Sequence, residues 1–427
     1  MPRLVWIATI VAFVLVAEQG IAKFHAFTLS SNIKEGLVIP PSGWKIAIPK
    51  GWIGSAPDPN PDENEPDMSA WKLFAEINKT SPSQHQVGPS KATTNDAIWE
   101  TWADNELTFP ASPDPLHPPK WPSDAKNFPL KRLAPPAQNL LRQHLQSGQP
   151  FDRKILRAPS NSRTLLGGEG DKTIHMLSSV GGTEEVRRNK KDFEFIADNK
   201  LFYQEGLAAA FAAAKPLVFP VESIEIKARW KPIQESDKAN YHWNYDRNGD
   251  LFGLVALHIM SKRLPNWTWA TWEWVGNAGR CDYTGCRDEF GVTPHEVQAN
   301  TPLGGVYPPE TLTSALISLF SSAGLSDEWK NYRLKGTQTL FTDTTGQPTL
   351  LGNSVTENGF VQSSSCITCH GQASVDSGGN PNPSVGFTTS KQSTNGPLLP
   401  TMFSKNGKLQ YFPIDFIWSI LEAQPAS

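Results

Sequence analysis

The sequence has little cysteine, no excess of charge of one sign and, after its first residues, no long apolar run. Of 427 residues 4 are cysteine, too few for a disulfide-built scaffold. Lysine and arginine number 39 against 42 aspartate and glutamate, and this near-neutral balance argues against a surface that binds nucleic acid. After the N-terminus, no stretch reaches the roughly 20 apolar residues of a membrane-spanning helix.

What the sequence does contain is apolar and aromatic material for a large core. Hydrophobic residues make up 38%, with 15 tryptophans and 21 phenylalanines, so global disorder is excluded. Proline is also abundant, at 36 residues, and this predicts long irregular connections.

The N-terminus has the pattern of a secretory signal peptide. Arg3 supplies a positive start, residues 4–17 form an apolar run, and Gly20-Ile21-Ala22 offers small residues for cleavage before Lys23. The run of about 14 residues is shorter than a membrane span, although an uncleaved anchor is the alternative. We therefore expect residues 1–22 to be removed and the bacterial protein to be periplasmic or secreted, with membrane contact only if the signal is retained.

The remaining chain divides into a body, residues 23–350, and a C-terminal segment, residues 351–427. A proline-rich stretch, 110–136, excludes regular helix or central strand, and its Trp121 and Phe128 favour an arm on the core over a linker.

Alternating apolar residues and a tight-turn signal at Asn248-Gly249 predict an antiparallel sheet over 222–275. Its first strand, 224–230, has a polar side and is expected to be half-buried. The fold class is therefore α+β, an antiparallel sheet with packed helices. The predicted helices are 67–77 with Asp67 as a cap, 201–214, 309–323 and 414–423.

One motif carries chemistry: Cys366-Ile367-Thr368-Cys369-His370. Cys-x-x-Cys-His is the attachment signature of haem c. On a helical turn Cys366 and Cys369 share a face, so both can form thioethers to one porphyrin, and His370 becomes the proximal iron ligand. The motif occurs once, which predicts one covalently attached haem c.

Two other uses of the cysteine pair, a zinc site and a redox pair, fit the sequence less well. Zinc needs four ligands and no second suitable pair lies nearby in sequence. A thioredoxin-like redox pair needs a βαβ context, which the residues before Cys366 do not provide.

The motif makes residues 360–427 resemble the c-type cytochromes. With Ala70-Trp71-Lys72-Leu73-Phe74 and Leu264-Pro265-Asn266-Trp267, the wider chain is similar to a group of secreted bacterial cytochrome-c-like proteins of unassigned activity. The resemblance implies haem binding and electron transfer, and it covers only the last sixth of the chain.

The sixth iron ligand would separate an electron carrier from an open, reactive haem. Met402, 32 residues after His370 in a Pro-x-Met context, is the candidate distal ligand, and its alternative role is apolar filling. His258 is the next candidate. The other histidines considered carry little signal: His25, His85, His117 and His295.

The C-terminal segment is small for an independent domain, since 62 residues run from Cys366 to the end and no helix precedes the motif. We expect a mostly helical segment that leans on the body. The aromatic residues expected to wall the porphyrin are Phe403, Phe412, Phe416 and Trp418.

The other two cysteines, Cys281 and Cys286, enclose four residues. This spacing fits a small disulfide-closed loop in an oxidising compartment, and a redox-active pair is the alternative. The tryptophans of 267–274 fit either a buried core or a platform leading to the haem. Alternation places Trp267 and Trp269 on one face of that strand, and Trp272 and Trp274 on the other.

Three functions remain open from the sequence. The first is a periplasmic monohaem cytochrome that exchanges electrons with a redox protein or a small-molecule donor or acceptor. The second is a peroxidase- or oxygenase-like haem enzyme whose body forms a substrate pocket. The third is a haem-bearing docking subunit of a larger redox complex. No catalytic residue can be assigned.

Overall fold

The computed structural model describes residues 65–124, 128–133, 183–358, 360–382 and 395–427. The predicted signal peptide and His25 lie outside the described residues. The α-helices of the described chain are α1 (Pro66–Ile77), α2 (Asn105–Thr108), α3 (Lys190–Asp198), α4 (Gln204–Ala213), α5 (Ser314–Ala323) and α6 (Cys366–Gly371). Within these ranges, no helix is long and apolar enough to cross a membrane.

A seven-stranded antiparallel sheet is the centre of the fold. Its spatial order is β7-β6-β5-β3-β2-β1, and β4 pairs with one end of β5. The strands are β1 (Ala103–Asp104), β2 (Thr183–Arg188), β3 (Ile224–Pro232), β4 (Trp243–Tyr245), β5 (Leu251–Ser261), β6 (Thr268–Trp274) and β7 (Tyr332–Gln338). The α+β class and the predicted antiparallel sheet are thus confirmed.

Short two-stranded ribbons and 3₁₀ helices complete the described chain. The ribbons pair Gln86–Val87 with Ala92–Thr93, Cys286–Arg287 with Glu296–Val297, Val292–Thr293 with Thr311–Leu312, Ser374–Val375 with Phe412–Pro413, and Ser404–Lys405 with Lys408–Leu409. The 3₁₀ helices are Ile98–Thr101, Glu235–Asn240, Asp327–Asn331, Val361–Ser363, Pro400–Met402 and Trp418–Glu422.

The helix predictions need four corrections. Helix α4 begins at Gln204 and not at residue 201, and it ends at Ala213. Helix α5 begins at Ser314 and not at residue 309, because Thr313 caps it by accepting a hydrogen bond from the Leu316 amide. Asp67 lies inside the first turn of α1, where it accepts hydrogen bonds from distant residues. The final helix is only the 3₁₀ turn Trp418–Glu422.

That last difference makes the expectation of a mostly helical C-terminal segment wrong. The described part of the segment contains the short α6, three 3₁₀ turns and paired two-residue strands. Its residues are ordered through packing on the body rather than through a helical repeat.

The sheet has one apolar and one polar face, which alternation along the strands separates. The apolar face packs against α1 and α5. The polar face lies beneath the C-terminal segment. The apolar face consists of Ile226, Ala228, Trp230, Leu257, Ile259, Ala270 and Trp272. The polar face carries Glu225, Lys227, Arg229, His258, Thr271 and Glu273, together with the apolar Ala256, Met260 and Trp269.

Burial of the polar face corrects the expectation of a half-buried first strand. Glu225 and Arg229 are each 4% exposed, because the C-terminal segment covers the side that was expected to face solvent. The alternation in 224–230 therefore separates two covered faces.

A shared apolar cluster joins the C-terminal segment to the body. Residues of the body such as Phe202 and Trp269 pack in one cluster with Ile367, Phe412 and Ile417. The segment and the body therefore contribute to the same core.

The proline-rich stretch lies on the core, as predicted for an arm. The rings of Phe128 and Phe193 both lie 5.6 Å from that of Trp121. Lys131 is buried and forms an ion pair with Glu100 at 2.7 Å. The described part of 110–136 contains neither helix nor strand.

Candidate functional site

The Cys-x-x-Cys-His motif forms helix α6, and β7 of the sheet fixes where this helix begins. The Gln338 side chain accepts a hydrogen bond from the Ile367 amide at 3.0 Å and donates one to the Ser365 hydroxyl at 2.8 Å. A buried glutamine thus satisfies a backbone donor of the first helical turn, which would otherwise lack a partner.

The two cysteines of α6 are thiols and form no disulfide. Cys366 lies near the Leu351 carbonyl, with its sulfur at 3.5 Å. Burial raises the pKa of the Cys369 thiol to about 12 and that of Cys366 well above its ordinary value. Both sulfurs therefore carry protons at neutral pH, and their three-residue spacing brings them to one side of the helix.

His370 has a defined tautomer. Its Nδ1 lies 3.0 Å from the Phe416 carbonyl oxygen, and because a carbonyl can only accept, Nδ1 carries the proton and donates it. Burial lowers the pKa of His370 to about 3, so the ring is neutral. The lone pair is consequently on Nε2, the arrangement that a metal-ligating histidine requires.

Two tryptophans flank the His370 ring. The Trp269 ring, on β6, lies 4.6 Å from it, and that of Trp418 lies 6.0 Å away. The Trp418 indole also donates a hydrogen bond to the Cys369 carbonyl at 3.0 Å. These residues fit haem c, because one imidazole and two thiols are what the protein must contribute while the porphyrin provides four nitrogens. Among the described residues, no group of three or more His, Cys, Asp or Glu side chains is placed to hold a metal ion.

Charged groups of the polar face lie close to the motif. His258 Nε2 is 3.5 Å from the Glu357 carboxylate, and Lys227, directly across from His258 in the sheet, influences the pKa of both His370 and Cys366. Burial lowers the pKa of His258 to about 3 and raises that of Glu357 to about 7.

These charges have partners within the same layer. Lys227 and Arg229 lie 3.4 and 3.6 Å from Glu184, and Lys335 lies 3.9 Å from Glu273. A buried carboxyl with a pKa near neutrality can hold or release a proton at physiological pH. The motif therefore borders an apolar cluster on one side and an ionisable layer on the other.

Met402 ends the 3₁₀ turn Pro400–Met402 and is buried in the apolar cluster, together with Leu398 and Phe403. Burial among apolar side chains suits both roles expected for Met402, distal iron ligand and apolar filling. Distal ligation by Met402 stays a prediction.

The cysteine pair outside the motif forms the predicted disulfide. Cys281 and Cys286 are bonded, with their Cα atoms 5.0 Å apart. The bond closes a loop beside Arg280, whose guanidinium pairs with Glu310 at 3.0 Å.

The tryptophan run divides between the two faces, as alternation predicts. Trp269 faces His370 on the polar side, and Trp272 packs on the apolar side. Trp267 precedes β6 and is buried with Trp269 in one cluster, whereas the half-buried Trp274 stacks on Tyr241 at 4.3 Å. The three minor histidines have ordinary polar neighbours: His85 contacts Asp96, His117 contacts Asp114, and His295 contacts the Asp288 carbonyl.

Sequence reasoning missed the groups that surround the motif. Gln338 gave no signal, and Phe416 was expected only as an aromatic wall, because the Gln338 amide and the Phe416 carbonyl act through contacts across the fold. Lys227 did stand in the visible polar alternation of β3, but this pattern alone indicated solvent. Searches among family models, curated proteins and solved structures found no match to this chain.

Proposed function

We propose that the protein is a monohaem c-type cytochrome that transfers electrons through one covalently bound haem. The observation that carries this proposal is the state of His370. Its neutral ring donates from Nδ1 to the Phe416 carbonyl, which leaves Nε2 available one residue after a pair of thiols with the haem-attachment spacing.

The residues of the chain divide the work. Cys366 and Cys369 would hold the porphyrin covalently, and His370 would bind its iron from the proximal side. Trp269 and Trp418, which flank the imidazole, would exclude water from it. When bound, haem supplies a reversible one-electron couple.

Export is part of this proposal. The N-terminal signal pattern and the Cys281–Cys286 disulfide both suit a periplasmic or secreted protein, where haem c is attached and thiols oxidise. The partner would be a redox protein or a small-molecule electron donor or acceptor.

Met402 is the proposed distal ligand, because it is buried in the cluster that also contains Ile367 of the motif helix. Ligation by histidine and methionine would raise the reduction potential. Replacing Met402 by alanine is then expected to convert a low-spin ferric spectrum to a high-spin one.

A haem-dependent oxidoreductase of the peroxidase or oxygenase type is the second candidate. The ionisable layer favours it, since Glu357 and His258 lie 3.5 Å apart beside the motif. Reactions of oxygen or peroxide consume protons, and the Glu357 carboxyl, with its pKa near 7, can deliver one. A high-spin wild-type spectrum with rapid cyanide binding would favour this candidate over the first.

Haem attachment itself is tested with two double variants, of which the second is the matched control of the first. The full chain is exported in a host with haem-maturation machinery, and covalent haem is measured by the pyridine haemochrome spectrum and by intact mass. Cys366→Ser/Cys369→Ser is expected to abolish covalent haem, whereas Cys281→Ser/Cys286→Ser is expected to retain one haem per chain. Wild-type protein without haem would overturn the proposal.

A further inference from the structure

The turn that contacts His370 has an unusual backbone. Asp415 and Phe416 are consecutive and neither is glycine, yet their φ angles are +39° and +73°. Both residues thus lie in the left-handed region, which L-residues with a Cβ seldom occupy. Such a conformation persists only where the surroundings hold it, and it is a reason to look for a local function.

Two groups of the body hold this turn through Asp415. The Lys262 ammonium lies 2.6 Å from its Oδ1, and the Phe219 amide donates to Oδ2 at 2.7 Å. The ion pair is buried, with 5% and 4% of the two side chains exposed. Lys262 is itself fixed by donating to the Pro265 carbonyl at 2.6 Å.

This turn fixes the position of the Phe416 carbonyl. The Phe416 oxygen accepts the His370 Nδ1 proton at 3.0 Å, and the Phe416 ring packs 5.9 Å from that of Trp269. The Asp415 carboxylate and the carbonyl belong to neighbouring residues. A shift of the carboxylate would therefore move the carbonyl and weaken the hydrogen bond that orients the imidazole.

We propose that the Lys262–Asp415 ion pair is a positioning device for His370: it holds a strained turn so that the Phe416 carbonyl fixes the imidazole and leaves Nε2 for iron. The part concerning iron rests on the proposed function. The hydrogen bond that His370 Nδ1 donates to the Phe416 carbonyl increases electron donation by the imidazole to iron, and this stabilises the ferric state. Loss of the ion pair should consequently raise the reduction potential.

A role in stability alone explains the pair less well. Burying two charges costs desolvation free energy that their attraction often only offsets. Here the pair joins the end of β5 to the turn next to the proximal histidine. The left-handed backbone and the ion pair both involve Asp415, the residue that precedes the accepting Phe416 carbonyl.

The test measures hydrogen exchange of the His370 Nδ1 proton by NMR on the protein as purified, reduced if it contains haem, together with the midpoint potential. In Lys262→Met the exchange is expected to be at least about tenfold faster, the factor that an ordinary hydrogen bond implies. The midpoint is expected to be more positive in Lys262→Met/Asp415→Asn, which removes both charges and so leaves the net charge unchanged. Lys262→Arg should retain both wild-type values. Lys330→Met, which breaks an exposed pair with Asp327, is the matched control.

A second variant guards against misfolding. Asp415→Asn removes the charge, keeps an acceptor oxygen for the Phe219 amide, and suits a left-handed backbone, so it is designed to fold. Wild-type exchange in either folded single variant, or a wild-type potential in the folded double variant, would overturn the positioning role. Wild-type protein that lacks haem would instead overturn the proposed function, while the exchange of the Nδ1 proton would still decide the inference.

Discussion

The two faces of the central sheet differ in chemistry although both are covered. On the apolar face, two aromatic rings of α1 pack on Trp272, Trp71 at 5.7 Å and Phe74 at 5.0 Å, and Phe320 of α5 packs on both of these rings. On the polar face, charged side chains pair with one another beneath the segment that carries the motif. The apolar face can thus supply stability while the polar face positions ionisable groups around one histidine.

The largest expected effect on the difference between the two faces comes from deleting residues 351–427. The deletion removes the cover of the polar face and the C-terminal half of the shared cluster, including Phe412 and Ile417. The truncated chain is expected to lose its cooperative unfolding transition and become insoluble, because buried charges and apolar side chains would both be exposed. Solubility and thermal unfolding monitored by circular dichroism provide the measurement. A soluble, cooperatively folded remainder would show that the body folds without the cluster that it shares with the C-terminal segment.

The next largest effect comes from two tryptophan variants, one expected to change stability and the other the candidate site. Trp272→Ala on the apolar face should lower the free energy of unfolding by about 3–5 kcal/mol, the usual cost of emptying a large aromatic site, and should leave the haem spectrum unchanged. Its matched counterpart, Trp269→Ala, removes the ring 4.6 Å from His370 and should alter the spectrum. Denaturant titration and visible spectra of both variants give the comparison. Equal spectral changes in the two would mean that the faces do not divide these roles.

A smaller effect concerns a buried acid beside the apolar face. The Asp288 carboxylate accepts a hydrogen bond from the Trp71 indole at 2.8 Å, and burial raises its pKa from 3.8 to about 6. The folded chain therefore binds this proton more tightly than the unfolded chain. Stability from this group is complete below about pH 4 and is lost as the pH rises through 6, by about 3 kcal/mol in total.

Asp288→Asn should flatten that pH dependence, although the amide has one acceptor oxygen, whereas the two carboxylate oxygens accept separately from the Trp71 indole and from the Phe290 and Gly291 amides. Urea unfolding from pH 4 to pH 7 gives the slope, and Asp327→Asn at an exposed position serves as the control. A variant slope equal to that of the wild type would assign the dependence to other acids.

The sequence predicted local features of the fold well, because local patterns determine them. Alternation located β3, and aromatic and β-branched composition located β6. The Asn248-Gly249 turn before β5 is closed by Asp246, which accepts from the Asn248 and Asp250 amides. Spacing alone identified the motif and the Cys281–Cys286 disulfide. The end of the chain was harder, since residues 414–423 have an apolar pattern compatible with helix, yet form a turn through tertiary contacts.

The polar contacts of the motif could not be predicted, because they depend on residues far apart in sequence. Lys262 and Asp415 are separated by 153 positions, and His370 and Phe416 by 46. Periodicity also cannot distinguish a polar face that meets water from one that another segment covers. The charged residues of β3 illustrate this, since the same alternation would describe either case.

Burial of the motif has a consequence for the order of events during maturation. Cys369 is 5% exposed and the helix that carries it packs in the core shared with the body. Under the proposed function, the enzyme that joins haem to both thiols needs access to them, so attachment would have to precede closure of the C-terminal segment on the sheet. The final folding step would then be the one that seals the cofactor in, and a chain that closed too early would be barred from ever receiving it.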